Sequence, residues 1–143
     1  MIKIKKLTPN ALTPEIQTSG SAGADLHACI DEDVVIHPNT TVKIPTGIAI
    51  GIPKGYAGFI FARSGLATKE GLAPANKVGV IDSDYRGEVM VAIHNHSNEI
   101  RRISPRQRIA QIVIMPHLKP KFKVVDYLDD SKRADGGFGS TGS

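Results

Sequence analysis

Four short internal segments and a glycine-rich tail carry the residue types from which an active site could be assembled. The first is Ser21-Ala22-Gly23-Ala24-Asp25-Leu26, where one acid follows small residues and enters strand-like sequence. Taken alone, Asp25 reads as a turn residue, and catalytic work is the alternative. The second, Ala62-Arg63-Ser64-Gly65-Leu66-Ala67, stands where an apolar strand gives way to a short helix over Ser64 to Glu70. Backbone amides at a helix start, a hydroxyl and a guanidinium together suit a phosphate group. The plainer alternative is Ser64 as helix cap beside a surface arginine. The third runs Asn76-Lys77-Val78-Gly79-Val80-Ile81-Asp82-Ser83-Asp84-Tyr85-Arg86-Gly87. A short apolar run, an acid-rich turn and a further strand predict a β-hairpin. A carboxylate at its rim, Asp82 or Asp84, could serve as general base on a water; loop acids also serve simply as turn formers. The fourth is Arg108-Ile109-Ala110-Gln111, in which Gln111 interrupts an apolar strand and needs a partner, from the protein or from a ligand. The tail from Arg133 to Ser143 sets one cation, Arg133, and one aromatic, Phe138, in glycine-rich backbone free to wrap closely. That pairing suits a flap over an anionic, ring-bearing ligand, with a disordered end as the alternative.

Other constellations carry less. His94 and His96 face the same way along a strand, but no third metal ligand is evident. Cys29, near His27, reads as a packed thiol rather than a nucleophile. The chain contains no G-x-x-x-x-G-K-[ST] loop, which excludes a P-loop kinase or NTPase, and no G-x-S-x-G elbow. Aromatics make up 5% of the residues and Trp is absent, so a base-stacking nucleic-acid reader has little to work with. Arg101, Arg102, Arg106 and Arg108 crowd four cations together, and these read as solvated or paired with acids.

The elements that must position these residues are β-strands. The chain has 17 Ile, 10 Val and 8 Thr against 7 Leu, and β-branched side chains suit a pleated surface better than a helix. With 14 Gly and 9 Pro among 143 residues, breakers are too frequent for a helical bundle. A small β-sandwich or barrel follows. Strand-like runs cover residues 1–6, 33–37, 41–52, 56–62, 87–95 and 108–115. In the fifth run Val89, Val91 and Ile93 share one face, and Met90, Ala92 and His94 the other. Residues 1–127 read as one β domain and 128–143 as a flexible C-terminal arm. A single cysteine rules out an intrachain disulfide framework and suits a reducing compartment. No run approaches the roughly 18 apolar residues of a membrane span, so a cytoplasmic protein with no membrane partner is expected. The net charge of +4 suits an anionic ligand but is too small to identify nucleic acid.

Taken together, in order and spacing, the five segments resemble the five motifs of the trimeric deoxyuridine triphosphatases (dUTP diphosphatases). The likeness spreads from residue 21 to residue 143: Ala22-Gly23-Ala24-Asp25-Leu26-His27-Ala28, Arg63-Ser64-Gly65-Leu66-Ala67, the stretch from Asn76 to Gly87, Arg108-Ile109-Ala110-Gln111, and Arg133 with Gly136-Gly137-Phe138-Gly139-Ser140-Thr141-Gly142. One departure is Ala62, where the family often has Pro.

The resemblance implies a distorted jelly-roll-like β-barrel with one short helix, assembled as a homotrimer that exchanges C-terminal arms and shares its active sites. It implies cleavage of dUTP to dUMP and pyrophosphate, which limits uracil in DNA and supplies dUMP for dTMP synthesis. Asp82 would be the base for the attacking water, with Gln111 and Asp25 as further catalytic residues. Asn76, Gly79, Val80 and Ile81 would form the nucleoside pocket, with Tyr85 packed under the deoxyribose, and Met90 would be a further substrate-binding residue. Arg63, Ser64 and Gly65 would serve the phosphates, and Gln111 would also hold phosphate oxygens. Arg133, Phe138, Gly139, Ser140 and Thr141 would close over the ligand. The cofactor would be Mg²⁺, held by phosphates and waters with no direct protein ligand and with Asp25 acting through water. The nearest rival is a dCTP deaminase, although deaminases carry Arg-Ser-Ser where this chain has Arg63-Ser64-Gly65. A non-catalytic nucleotide-binding or regulatory trimer and a nucleic-acid-binding barrel are the rivals of other classes.

Overall fold

Alternation along residues 90–95 shows how a strand with one buried face presents its side chains. Val91, Ile93 and Asn95 are buried, while Met90, Ala92 and His94 face outward. The structure is a computed structural model and describes residues 1–131 together with Ala134 and Asp135. Its strands are β1 (Lys3–Lys6), β2 (Ala24–His27), β3 (Val34–Ile36), β4 (Thr41–Pro45), β5 (Ile48–Gly51), β6 (Tyr56–Phe61), β7 (Leu72–Pro74), β8 (Gly79–Ile81), β9 (Met90–Asn95), β10 (Arg101–Ile103) and β11 (Arg108–Pro116). One helix, α1 (Ser64–Glu70), separates β6 from β7.

Every pairing between these strands is antiparallel. They form four sheets, ordered β2-β11-β6-β8, β4-β9-β7, β1-β5 and β10-β3. The expected β-rich, jelly-roll-like layering is present, but among the described residues the sheets do not join into a closed barrel. The strands are short, and turns break them before they can close. The run from Thr41 to Ile52 is cut at Gly47, which has φ +70°, and a Cβ built there would stand 2.7 Å from Cys29 Sγ and 2.8 Å from Ala11 Cβ. Only glycine takes that turn without strain.

The branched residues meet in one core. Leu26, Ile36, Ile44, Ile48, Ile93, Ile103 and Ile109 are essentially inaccessible to solvent. Burial of each such side chain stabilises the fold by about 1.5–3 kcal/mol. Buried Asn95 is satisfied within the protein. Its Nδ2 donates to the Ile36 and Glu99 carbonyls, and its Oδ1 accepts from the Ser97 N–H and hydroxyl.

Two local expectations change. The stretch 76–87 is not a hairpin: β8 pairs with β6, while β9 lies between β4 and β7 with both edges occupied. The acid-rich loop therefore crosses from one sheet to another. Ser64 is also not the helix cap. Arg63 takes the N-cap position with extended backbone, and no side chain caps the helix. The Ser64 hydroxyl is thus not spent on the helix.

Candidate active site

The pairing of β11 with two neighbours assembles the first concavity. Gln111 stands opposite Asp25 on β2 and opposite Phe61 on β6, and β6 leads directly to Arg63 and α1. The concavity has a volume of about 480 Å³ and is lined in part by Ser21, Gly23, Asp25, Arg63, Ser64, Gly65 and Gln111.

Asp25 does not lie in a turn; it sits in β2 with 7% exposure. Its Oδ1 accepts a hydrogen bond from Arg63 Nε at 2.9 Å and its Oδ2 one from Arg108 Nη1 at 3.3 Å. A buried carboxylate is tolerable when paired and hydrogen-bonded in this way. Two guanidiniums against one carboxylate leave this wall with an excess of positive charge. Arg63 uses Nε on Asp25, and among the described residues its Nη groups have no hydrogen-bond acceptor. Ser64 and Gly65 are exposed, and a Cβ built at Gly65 meets nothing within 4 Å. Gln111 donates from Nε2 to the Ala62 carbonyl at 2.9 Å. Its Oε1 lies against Gly23, where a Cβ would come within 2.5 Å of it. Any side chain at residue 23 displaces Gln111.

A second concavity, of about 350 Å³, shares no lining residue with the first. Val80, Ile81, Asp82, Tyr85 and Met90 line it, together with Lys43, Glu88 and Ala92. Val80, Tyr85 and Met90 are exposed apolar groups on its wall, which suits a flat ring. β8 is the edge of its sheet, so one side of its backbone has no strand partner among the described residues. Such an edge offers N–H and C=O groups in a line, the pattern a nucleobase edge requires. Gly79 is buried against Ile60, and Asn76 Nδ2 lies 3.5 Å from the position its Cβ would take. The loop beyond β8 is tied to itself. The Tyr85 N–H donates to the Asp82 carbonyl, and Arg86 Nη1 donates to the carbonyls of Ser83 and Tyr85. Asp82 is exposed and forms no ion pair among the described residues.

Asp25, Arg63, Ser64, Gly65 and Gln111 therefore share one concavity, and Val80, Ile81, Asp82, Tyr85 and Met90 the other, with Gly79 and Asn76 beside it. Arg133, Phe138, Gly139, Ser140 and Thr141 lie outside the described residues. The sequence places Gly23 and Arg108 within the first and fourth segments without giving either a role, and it singles out neither Lys43 nor Glu88. Nothing local marks Lys43, whose strand meets β9 only in the folded sheet. Cys29 packs against the core and shares a 3.3 Å hydrogen bond with Thr8. His94 and His96 meet edge-on at 4.4 Å between ring centroids, and among the described residues no three His, Cys, Asp or Glu side chains are grouped to hold a metal ion.

His27 sits beside this machinery on β2, and its Nδ1 is buried without a hydrogen-bond partner among the described residues. Burial lowers its pKa from the ordinary 6.5, against the opposing pull of Asp25 and Glu15. The unfolded chain takes up this proton near pH 6.5, the folded chain only at lower pH. The group therefore removes stability as pH falls from the unfolded value towards the folded one, and removes none above it. Thermal melts between about pH 7 and about pH 5 are expected to show a shallower loss of Tm for His27→Asn than for the parent chain. An unchanged slope assigns the acid-side loss to other groups.

The likeness to known proteins runs the length of the chain. The family model described as dUTPase matches residues 10–142. The deoxyuridine 5'-triphosphate nucleotidohydrolase of Desulfitobacterium hafniense (strain DSM 10664 / DCB-2) is 52% identical over 130 residues, which cover 90% of this chain and 86% of that protein. Its counterpart in Hahella chejuensis is 49% identical over 140 residues, covering 97% and 92%. Among solved structures, a mutant of Staphylococcus bacteriophage 80alpha dUTPase with dUpNHpp superposes with TM-score 0.89 at 31% identity, covering 100% of this chain and 99% of that one. A mutant dUTPase from phage phi11 of S. aureus, described as coordinating a structural Mg(II) ion, superposes with TM-score 0.78 at 29% identity, covering 89% and 97%. No helix among the described residues is long and apolar enough to cross a membrane. With near-complete coverage in both sequence and structure, and with residues of the four internal motifs in or beside two concavities, the chain belongs to the dUTPase family.

Proposed function

We propose that the chain hydrolyses dUTP to dUMP and pyrophosphate. The observation that carries this reading is the division of labour between the two concavities. One is cationic and suits a phosphate chain. The other joins apolar walls with a strand edge and an exposed carboxylate that are both unpaired among the described residues, which suits a nucleoside beside a water-activating base. The two would meet when copies of the chain associate as a homotrimer, each site drawing on more than one chain. Exposed apolar side chains in residues 118–128, among them Leu118, Phe122, Val124, Tyr127 and Leu128, support association through the C-terminal region.

In this mechanism the β8 edge and Asn76 hydrogen-bond the uracil edge. Cytosine would leave polar groups unpaired there, an expensive mismatch. Tyr85 packs under the deoxyribose and leaves no room for a 2′-hydroxyl. Arg63, Ser64 and Gln111 hold phosphate oxygens. Asp82 accepts a proton from the water as its oxygen bonds to the α-phosphorus and the bond to the departing pyrophosphate breaks. Residues 128–143 act as the closing arm: Arg133 on the terminal phosphate, Phe138 over the uracil, and Gly139, Ser140 and Thr141 on the phosphates. Both Asp25 oxygens are already held by arginines, so Asp25 fits a water-mediated rather than a direct place beside Mg²⁺. When bound, Mg²⁺ supplies charge neutralisation to the triphosphate, which suits an ion that keeps most of its waters.

Pyrophosphate release from dUTP, dCTP, dTTP and UTP in the presence of Mg²⁺ tests the reading. Strong selectivity for dUTP is the expected result. Ammonia release from dCTP would favour the deaminase instead, and no turnover of any of the four would favour a binding protein.

A further inference from the structure

Tyr85 is the group on which the proposed sugar selectivity depends, and it lies in the loop that joins β8 to β9 rather than in a strand. A ring used as a steric gate must be held to within a fraction of an ångström. The structure shows what holds it. The Tyr85 hydroxyl donates to the Glu88 carbonyl at 2.9 Å. The Glu88 side chain reaches in the other direction, where its Oε1 accepts from the Gly47 N–H at 2.7 Å. Gly47 is the β4–β5 turn, wedged against Cys29 and Ala11 with φ +70°. The adjoining ladder is rigid: the Thr46 N–H and hydroxyl both donate to the Val89 carbonyl, and the Val89 N–H donates to Ile48. One residue thus joins the pocket loop to the packed core through its carboxylate and clamps the tyrosine through its carbonyl.

We propose that Glu88 is a positioning residue that sets the discrimination between deoxyribose and ribose by fixing Tyr85. This rests on the dUTP-hydrolase reading and adds to it a residue outside the motif roles above. Glu88 does not touch the substrate in this proposal; it acts through Tyr85. The bond to Gly47 is charge-assisted and half-buried, the stronger class of hydrogen bond. Its loss frees residues 85–88 to move away from the sugar.

The experiment measures kcat/KM for dUTP and for UTP with the parent chain, Glu88→Ala, Glu88→Gln and Tyr85→Phe. The expected result is a fall of about tenfold in the dUTP:UTP ratio for Glu88→Ala, the fold-change of one charge-assisted hydrogen bond. Glu88→Gln keeps an oxygen acceptor for the Gly47 N–H and is expected to restore most of the ratio. Tyr85→Phe cuts the second link while leaving Gly47 bound, and is expected to lower the ratio in the same direction. General weakening of the fold would depress both substrates together and leave the ratio alone. An unchanged ratio in Glu88→Ala, or equal losses in Glu88→Ala and Glu88→Gln, overturns the inference. If Glu88→Ala does not fold, an unchanged ratio in Tyr85→Phe overturns it. A parent chain that does not hydrolyse dUTP overturns the functional reading itself, so the two failures are distinct.

Discussion

Replacing Asp82 with Asn is expected to leave the chain folded and assembled while lowering dUTP turnover by about 10²–10⁴-fold, the contribution of a positioned general base. The amide has almost the shape of the carboxylate and retains one acceptor oxygen, but it cannot take the proton from the attacking water. The fold makes this a clean experiment. Asp82 is exposed and has no ion pair among the described residues, so its charge supports no other described group. Its backbone carbonyl, which accepts from the Tyr85 N–H, survives the substitution. The checks are steady-state pyrophosphate release and a thermal melt, with binding of dUMP as a measure of pocket integrity. Turnover within a few-fold of the parent chain would mean that another group activates the water.

The second large effect is expected from deleting residues 132–143. Every described strand ends by Pro116, so the deletion removes none of the core. It also spares residues 118–128, the apolar stretch assigned to association. What it removes is Arg133, Phe138, Gly139, Ser140 and Thr141, the proposed contacts on the terminal phosphate and over the base. Closing segments exclude water and complete a catalytic arrangement, so their loss lowers the chemical rate as well as affinity. Turnover is expected to fall by at least about 10²-fold, against a Tm that stays within a few degrees. Unchanged activity in the truncated chain would deny these residues any part in the site.

Legibility in the sequence followed distance along the chain. The faces of β9 could be read directly, because alternation is a property of neighbouring residues. Gln111 also stood out, as a polar residue in an otherwise apolar strand, and the structure gives it a carbonyl partner at Ala62. Asp25 was ambiguous. Its environment comes from Arg108, 83 positions away, and from Arg63, 38 positions away. No window of sequence contains that pairing, so the carboxylate reads as a turn residue until the fold brings the two arginines to it. The hairpin expectation failed for a similar reason. Adjacency favoured β8 with β9, but β4 and β7 already occupy both edges of β9. The three-residue strands β7 and β10 are too short for a periodic signal, and only their partners define them. The arginines around residues 101–108 conceal the one that reaches Asp25, since a cluster of like residues does not show which member finds a distant partner.

The open edge of β8 has a consequence for solubility as well as for recognition. An unpaired strand invites a second chain to extend the sheet, the first step of edge-to-edge aggregation. Here the invitation is brief. The strand runs only from Gly79 to Ile81, and Asp82 and Asp84 follow it with negative charge. Three residues span about 10 Å, room for one planar ring but too little for an invading strand to gain a stable register. The same shortness that would suit the edge to a single base also protects the chain from its own copies at high concentration.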